Sequence, residues 1–210
     1  MTASPLFIVL EGIDGSGTTT QAERLLAHLR GRGRQVSGTR EPSTGPVGKL
    51  IREILLGGHA PAPGSSVHGD TMALLFAADR RDHLQREIEP ALAAGTDVVS
   101  DRYVWSSLAY QAQEADLPWV RGLARSLREP DLTLLIDLPI EEAARRRALA
   151  GRPVERYDAD SYLAKVAAHY RKLAAEDPQA VVIDGRPNLD DVTQLICNAV
   201  DNLLAARGER

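Results

Sequence analysis

Cysteine is nearly absent from this chain of 210 residues, in which Cys197 is the only one. A single cysteine excludes a disulfide within the chain and a zinc site built from several thiolates. Such scarcity is typical of a protein kept in a reducing compartment, so we expect the chain to be cytoplasmic.

Long apolar runs and an excess of positive charge are also missing. The first apolar run, residues 6–10, ends at Glu11 and is too short for a membrane span or the apolar core of a signal peptide. We therefore interpret it as a buried strand. The formal net charge of −4 gives no indication of a nucleic-acid partner, and the basic residues form local groups.

One lysine is missing from a phosphate-binding pattern that is otherwise complete. The pattern G-x-x-x-x-G-K-[ST] places glycine N–H groups and a lysine around the phosphates of a nucleoside triphosphate. Here Thr18 stands at the lysine position, and Thr19 is at the position of the hydroxyl that binds Mg²⁺. The alternative is an ordinary glycine-rich turn between a strand and a helix. The segment, with the threonine that follows it, reads Gly12, Ile13, Asp14, Gly15, Ser16, Gly17, Thr18, Thr19 and Thr20.

The apolar pattern predicts an α/β fold. Five short apolar runs without strict alternation are typical of strands covered on both faces, and amphipathic stretches separate them. This alternation predicts a five-stranded parallel sheet flanked by helices on both faces, in one domain over residues 1–210. The predicted strands are residues 6–10, 36–39, 98–100, 132–137 and 181–184, and the predicted helices are residues 19–30, 71–92, 141–150, 161–175 and 189–204. Residues 57–69 are expected to form a loop.

Charged residues follow two of these strands directly. Ligands of open α/β sheets bind at the carboxyl ends of the strands. Asp101 is suited to hold Mg²⁺ directly or through water, and Arg40 and Arg102 are suited to clamp a phosphate. Taken alone, each segment is equally compatible with a solvated turn or a surface ion pair.

Two further groups lie on predicted helices. Phe76 and Arg80 are four residues apart, so they share a helix face on which a nucleobase can be stacked and hydrogen-bonded. A core phenylalanine beside a solvated arginine has the same spacing. A basic cluster at the end of a helix and in the next loop is compatible with a mobile lid or with a solvated helix face, and it contains Arg145, Arg146, Arg147, Arg152 and Arg156.

Together, in this order and across almost the whole chain, these segments resemble the thymidylate kinases, which belong to the nucleoside-monophosphate kinase group of P-loop proteins. The resemblance rests on residues 11–17, 39–42, 75–80, 101–103, 109–111, 130–132 and 155–157. It implies a P-loop NTPase fold with a lid at approximately residues 145–158.

The resemblance also implies roles for individual residues. Phe76 would stack on thymine, Arg80 would bind the base edge, and Arg40 and Arg102 would bind the 5′-phosphate of dTMP. Asp14 would approach the 3′-hydroxyl. Tyr110 would pack under the deoxyribose, while the base pocket would be lined by Ser106, Ser107 and Gln111, of which the sequence does not say which touches the base.

The reaction implied is transfer of the ATP γ-phosphoryl group to dTMP, with Mg²⁺ held by Thr19 and Asp101. The catalytic residues implied are Asp14, Arg102, Arg152 and Arg156. The two lid arginines, Arg152 and Arg156, are included because position 15 is glycine, so the loop itself supplies no arginine. The family is usually a homodimer, and the long helix from Thr71 is the expected interface.

Thr18 leaves the activity open at this point. An active kinase in which Mg²⁺ and a lid arginine replace the ammonium is one interpretation. A nucleotide-binding protein with negligible catalysis and a kinase for another small acceptor are the others.

Overall fold

The computed structural model describes residues 4–62, 64–151 and 155–208, and its centre is one parallel sheet. The strands are β1 Phe7–Glu11, β2 Val36–Arg40, β3 Asp97–Asp101, β4 Leu132–Asp137 and β5 Ala180–Asp184, in the order β2-β3-β1-β4-β5. The five predicted strands are all present, within one residue at each end. All neighbouring pairs are parallel, as the pattern predicts.

Helices connect the strands and cover both faces of the sheet. Within the described ranges they are α1 Thr18–Gly31, α2 Pro46–Leu55, α3 Gly69–His83, α4 Glu89–Ala93, α5 Val104–Tyr110, α6 Leu117–Leu123, α7 Ile140–Ala150, α8 Asp160–Glu176 and α9 Leu189–Ala206. None of these helices is both long and apolar enough to cross a bilayer.

The long helix predicted at residues 71–92 is interrupted in the structure. A π-helical turn, Leu84–Ile88, joins α3 to α4. Pro90 lies just beyond this turn, and its ring nitrogen cannot donate to a preceding carbonyl. The helix therefore widens immediately before the proline, which is one of the usual settings for such a turn.

Three short helices are absent from the sequence-based prediction. Helix α2 starts at Pro46, where a proline has no N–H to lose, and α6 starts after Asp116, whose carboxylate accepts a hydrogen bond from the Trp119 N–H at 2.9 Å. Helix α5 directly follows β3. Each is ten residues or fewer, so its apolar periodicity is too short to stand out.

Strand β1 is buried on both faces because its side chains alternate between two cores. Leu6, Ile8 and Leu10 pack with α1 and α9 on one face. Phe7 and Val9 pack on the other face, against the segment from α3 to α4. Burial of each such side chain stabilises the fold by about 1.5–3 kcal/mol. The two cores therefore hold β1 in place between the helical layers.

The register of the sheet brings the chemistry to one edge. Leu10 of β1 pairs with Asp101 of β3, which pairs in turn with Arg40 of β2. The loops that follow these three strands therefore leave the sheet side by side. This is the edge at which parallel α/β sheets bind ligands.

Candidate active site

The phosphate-binding loop lies between β1 and α1, as predicted. Gly15 and Gly17 have φ angles of 91° and 98°, which other residues rarely adopt. A Cβ at Gly15 would also lie 2.6 Å from the Ala143 carbonyl oxygen, so no larger residue fits there. Gly17 caps α1 without a side-chain hydrogen bond, which leaves the first N–H groups of the helix available to an anion.

Thr18 is the first residue of α1 and is 5% exposed. Its hydroxyl makes no hydrogen bond to any residue that the structure describes. The next residue, Thr19, donates its hydroxyl to Asp101 Oδ2 at 2.5 Å. The second carboxylate oxygen of Asp101, Oδ1, is buried and has no hydrogen-bond partner among the described residues.

The hydroxyl of Thr19 and the carboxylate of Asp101 fit a Mg²⁺ ion that is shared with a phosphate. Both are hard oxygen ligands, and an unpartnered buried carboxylate oxygen is stabilised by a cation or its bound water. Among the described residues no group of three or more His, Cys, Asp or Glu side chains forms a metal cage. The donor set therefore suits a metal that takes most of its ligands from phosphate and water.

Arg102 is held in a strained conformation beside this loop. Its φ of 75° lies in the left-handed region, which costs a residue with a side chain of the order of 1–3 kcal/mol. Its guanidinium donates to the Gly12 carbonyl at 2.8 Å and to Asp14 at 2.9 Å. The group also lies 5.4 Å from the centre of the Tyr110 ring. Arg102 thus fixes the loop from the side of β3.

Glu11, the last residue of β1, is a fully buried carboxylate. It accepts hydrogen bonds from the Tyr103 and Ser106 N–H groups at 2.9 and 3.2 Å, and from the Ser106 and Tyr170 hydroxyls at 2.7 and 3.0 Å. Burial raises the pKa of Glu11 from its ordinary 4.5, against the opposing effect of these hydrogen bonds and of Arg102. The carboxylate ties the end of β1 to α5 and α8.

A cavity of about 760 Å³, the donor pocket, opens over the phosphate-binding loop. It contains the predicted residues 14–20, whereas Gly12 and Ile13 do not line it. Sequence reasoning missed its far wall, which follows β5, although the strand-end rule applies to β5 as well. The wall is formed by Arg186, Pro187, Asn188, Leu189 and Val192, and α7 contributes Glu142, Arg145, Arg146 and Ala150.

The arginines of the donor pocket that come from α7 and from the loop after β5 already have partners. Arg145 and Arg146 bind Glu142 at 2.7 and 2.8 Å, and these hydrogen bonds lower the pKa of Glu142 to about 2. Arg186 binds Asp184 at 2.7 Å. Arg147, also on α7, donates to the Asp14 carbonyl at 2.8 Å and thereby joins α7 to the loop.

A second cavity of about 260 Å³, the acceptor pocket, lies on the other side of Arg102. It brings together most of the acceptor residues predicted from the sequence. The predicted residues that line it are Asp14, Arg40, Phe76, Arg80, Asp101, Arg102, Ser106, Tyr110 and Gln111. Sequence reasoning missed Arg52, Leu55 and Tyr157, of which Arg52 lies in a helix that was not predicted.

Two cations converge at one end of the acceptor pocket. The Arg40 side chain is exposed and makes no hydrogen bond or ion pair with the part of the chain that the structure describes. The pKa of Arg52 is lowered, first by burial and then by the nearby charge of Arg40. Two neighbouring guanidinium groups, one without a partner, form a local site for an anion.

Phe76 and Arg80 share one face of α3, as their spacing predicts, and both line the acceptor pocket. Arg80 is buried and donates to Glu41 at 2.8 Å and to Ser107 Oγ at 3.0 Å. Its Nη1 has no partner among the described residues. Ser107 was expected to line the base pocket, but it does not line this cavity, and its hydroxyl helps to orient Arg80.

The donor and acceptor pockets share three residues, Asp14, Thr19 and Arg102. The two pockets therefore adjoin at this point. The guanidinium of Arg102 and the hydroxyl of Thr19 lie at the junction.

The structure does not bring Arg156, the predicted catalytic lid arginine that it describes, to this junction. Arg156 donates to the Val67 carbonyl at 2.5 Å and to Glu114 at 2.7 Å, and its guanidinium lies 5.4 Å from the centre of the Tyr157 ring. It lines neither the donor nor the acceptor pocket. Arg152 falls outside the described residues.

Comparisons with known proteins agree with this arrangement. A model of the thymidylate kinase family matches residues 10–196. A protein of Thermococcus kodakarensis named probable thymidylate kinase is 41% identical over 204 residues, covering 95% of this chain and 98% of its own length. Proteins named thymidylate kinase in Thermomicrobium roseum and Dinoroseobacter shibae are 43% and 41% identical, over 82% and 94% of this chain and 83% and 98% of their own lengths.

The raised pKa of Glu11 predicts a pH dependence of stability. Between the ordinary value of 4.5 and the raised value, the folded chain binds more protons than the unfolded chain. Its stability therefore falls as pH rises through this window, by at most about 1.4 kcal/mol per pH unit. We expect Glu11→Gln to lack this slope, measured by urea unfolding between roughly pH 5 and 8.

Glu142→Gln is the matched control, because Glu142 has a lowered pKa of about 2 and does not titrate in that range. Its curve should run parallel to that of the wild type. Parallel curves for the wild type and Glu11→Gln would show that the Glu11 pKa is not raised.

Proposed function

The chain belongs to the thymidylate kinase family, and we propose that it transfers the γ-phosphoryl group of ATP to dTMP, giving dTDP and ADP. ATP would occupy the donor pocket and dTMP the acceptor pocket. In this proposal the protein performs the reaction with Thr18 where the loop ordinarily has lysine.

The junction of the two pockets carries the proposal. Phosphoryl transfer requires the attacking oxygen and the leaving group to lie in line, with the charge of the transferring group neutralised. The shared residues Asp14, Thr19 and Arg102 allow an acceptor phosphate and a donor phosphate to meet there. The protein then contributes position and charge, and no covalent intermediate is needed.

The acceptor pocket suits a nucleoside monophosphate with an apolar base face. Phe76 would stack on thymine, and the free Nη1 of Arg80 would donate to the base edge. Arg40 and Arg102 would bind the 5′-phosphate, supported by Arg52. The remaining proposed contacts are with the deoxyribose from Asp14 and Tyr110, and with the base from Ser106 and Gln111.

The donor pocket would hold the ATP phosphates on the N–H groups of residues 14–20. The hydroxyl of Thr19 and the carboxylate of Asp101 would hold Mg²⁺, directly or through water. When bound, Mg²⁺ neutralises charge on the β- and γ-phosphates.

The lid is proposed to be residues 145–158, within one domain that spans residues 1–210. Its described arginine, Arg156, would have to leave Val67 and Glu114 to reach the junction. Closure over bound nucleotides is the usual means by which a lid brings cations to the transferring group. Arg152 has the same proposed role.

A second candidate function follows from Thr18 alone. Removal of one donor that stabilises developing charge costs on the order of 10²–10³ in rate. A chain that binds ATP and dTMP with negligible turnover is consistent with that loss. Turnover therefore separates the two candidates, and binding does not.

We also propose a homodimer in the cytoplasm. Leu74, which is 51% exposed, lies on α3, the helix expected to form the interface between two copies. Sedimentation equilibrium at micromolar concentration should give the mass of two chains. The mass of one chain would contradict the proposal.

A coupled assay with ATP, Mg²⁺ and a panel of monophosphates tests the function. We expect dTMP to give a higher kcat/KM than dUMP, dCMP or dGMP, because the contacts proposed for Phe76, Arg80 and Tyr110 favour thymine and deoxyribose. Background turnover with every acceptor, together with calorimetric binding of dTMP, would favour the second candidate. Higher turnover with another monophosphate would show a kinase of different specificity.

The role of Arg156 can be separated from a structural role with two variants. Arg156→Ala should lower kcat at least about tenfold if the guanidinium reaches the transferring group. Glu114→Gln is the matched variant, because it releases Arg156 from its ion pair without removing it and should leave kcat equal or higher. Equal losses in both variants would show that the ion pair itself is what matters.

A further inference from the structure

The guanidinium of Arg80 is held by two of its three nitrogens. Nε donates to Glu41 Oε2 at 2.8 Å, and Nη2 donates to the Tyr103 carbonyl and to Ser107 Oγ, each at 3.0 Å. Because the group is planar, these three hydrogen bonds fix the direction of Nη1, which has no partner among the described residues. Arg80 lines the acceptor pocket. The pocket therefore offers a ligand one donor whose direction is set by the protein.

This donor distinguishes between pyrimidines. A guanidinium can only donate hydrogen bonds. Thymine has a carbonyl oxygen where cytosine has an amino group, which is itself a donor. With Arg80 on the base edge, as proposed above, Nη1 favours dTMP over dCMP as long as its direction is held. The selectivity then depends on what holds Arg80.

Glu41, the ion-pair partner of Arg80, is held in turn by His83. The side chains of Glu41 and His83 are 2% and 0% exposed. His83 Nδ1 lies 3.3 Å from Glu41 Oε1. Since a carboxylate only accepts, Nδ1 carries the hydrogen and donates it. The two oxygens of Glu41 thus have different partners, Arg80 for Oε2 and His83 for Oε1.

The other ring nitrogen of His83 is bound outside the acceptor pocket. Nε2 lies 2.6 Å from Thr39 Oγ1, and the Thr39 hydroxyl donates to Glu87 at 2.9 Å. Thr39 lies on β2, and Glu87 lies in the π-helical turn, a kind of turn that is frequent at functional sites. His83 does not line the acceptor pocket, whereas Glu41 does. His83 can therefore act on a ligand there only through other residues.

We propose that His83 is a positioning residue for base selection, whose Nδ1–H holds Glu41 in the orientation that directs Arg80 Nη1 at the base. The inference deepens the proposed function and rests on it for the identity of the acceptor. Without this hydrogen bond, Oε1 of Glu41 would be buried without a donor. The carboxylate would then turn toward another donor, and Arg80 would turn with it.

Two substitutions of His83 separate its two nitrogens. The amide of asparagine can take the place of Nδ1, and the longer amide of glutamine can take the place of Nε2. His83→Asn therefore keeps the donor to Glu41, and His83→Gln keeps the contact with Thr39. Calorimetry gives the Kd of dCMP divided by the Kd of dTMP. We expect this ratio to stay within about twofold of the wild type in His83→Asn and to fall at least about tenfold in His83→Gln, since the base edge is then read by a misdirected donor.

Two results would overturn the proposal. A fall of equal size in both variants would show that His83 serves only to link α3 to β2. An unchanged ratio in His83→Gln would show that the direction of Arg80 does not depend on His83.

Asp97→Asn is the matched control. It weakens another buried pair of an arginine and a carboxylate, Arg34 and Asp97, at the opposite end of β3 from the site. It should lower the free energy of unfolding in urea and leave the Kd ratio unchanged. A ratio that falls in this control as well would show that selectivity merely follows stability, and the proposal would be wrong.

A measurement on the wild type does not depend on the folding of any variant. His83 is the only buried one of the five histidines, all of which the structure describes. In a chain labelled with ¹⁵N-histidine, NMR should therefore show one Nδ1–H that exchanges slowly with water. A buried histidine without hydrogen on Nδ1 would contradict the donation to Glu41 and overturn the proposal.

Binding also separates this inference from the kinase activity. A wild type that prefers dTMP in calorimetry but shows no turnover would remove the activity, and the His83 variants would still decide the inference. A wild type that binds dCMP as tightly as dTMP would contradict both the proposed acceptor and the role of His83.

Discussion

The buried carboxylate of Glu11 is the interaction on which both pockets depend. It lies at the end of the central strand and binds the backbone at the start of α5 together with the hydroxyls of Ser106 and Tyr170. A carboxylate without these donors would be too costly to bury. The position of the carboxylate therefore dictates where the chain turns after β3, and with it the direction in which Arg102 leaves the sheet. Burial still dominates its pKa, so this anchor carries a residual cost that the packing of the sheet offsets.

The strained backbone of Arg102 follows from that anchor. Because Tyr103 N is held by Glu11, the residue before it must bend sharply to continue from β3. The bend turns the Arg102 side chain toward the Gly12 carbonyl and Asp14, at the wall common to both pockets. A relaxed backbone would direct the guanidinium away from Gly12 and Asp14. The strain thus falls on one of the three residues that line both pockets.

The sequence predicted those parts of the site whose position depends on local spacing. Phe76 and Arg80 share a face because a helix repeats every 3.6 residues, and the residues after β1, β2 and β3 meet because parallel strands end at one edge. Contacts set by long-range packing escaped prediction. Arg52 reaches the acceptor pocket from a short helix with little periodicity, and Ser107 binds Arg80 across two helices. The observed placement of Arg156 also depends on a partner, Glu114, that lies 42 residues away in sequence.

With threonine instead of lysine at position 18, the chain does not have to bury a positive charge when it folds. A lysine at a position only 5% exposed would be buried in the empty protein too, where its desolvation has to be offset by nearby oxygens. A threonine avoids that cost during folding, since a neutral hydroxyl needs at most a hydrogen bond. In the proposed reaction the phosphates would arrive without an ammonium at this position, so the cost of balancing their charge would appear on binding. In that proposal the cost is met by Mg²⁺ on Thr19 and Asp101 and by an arginine of the lid.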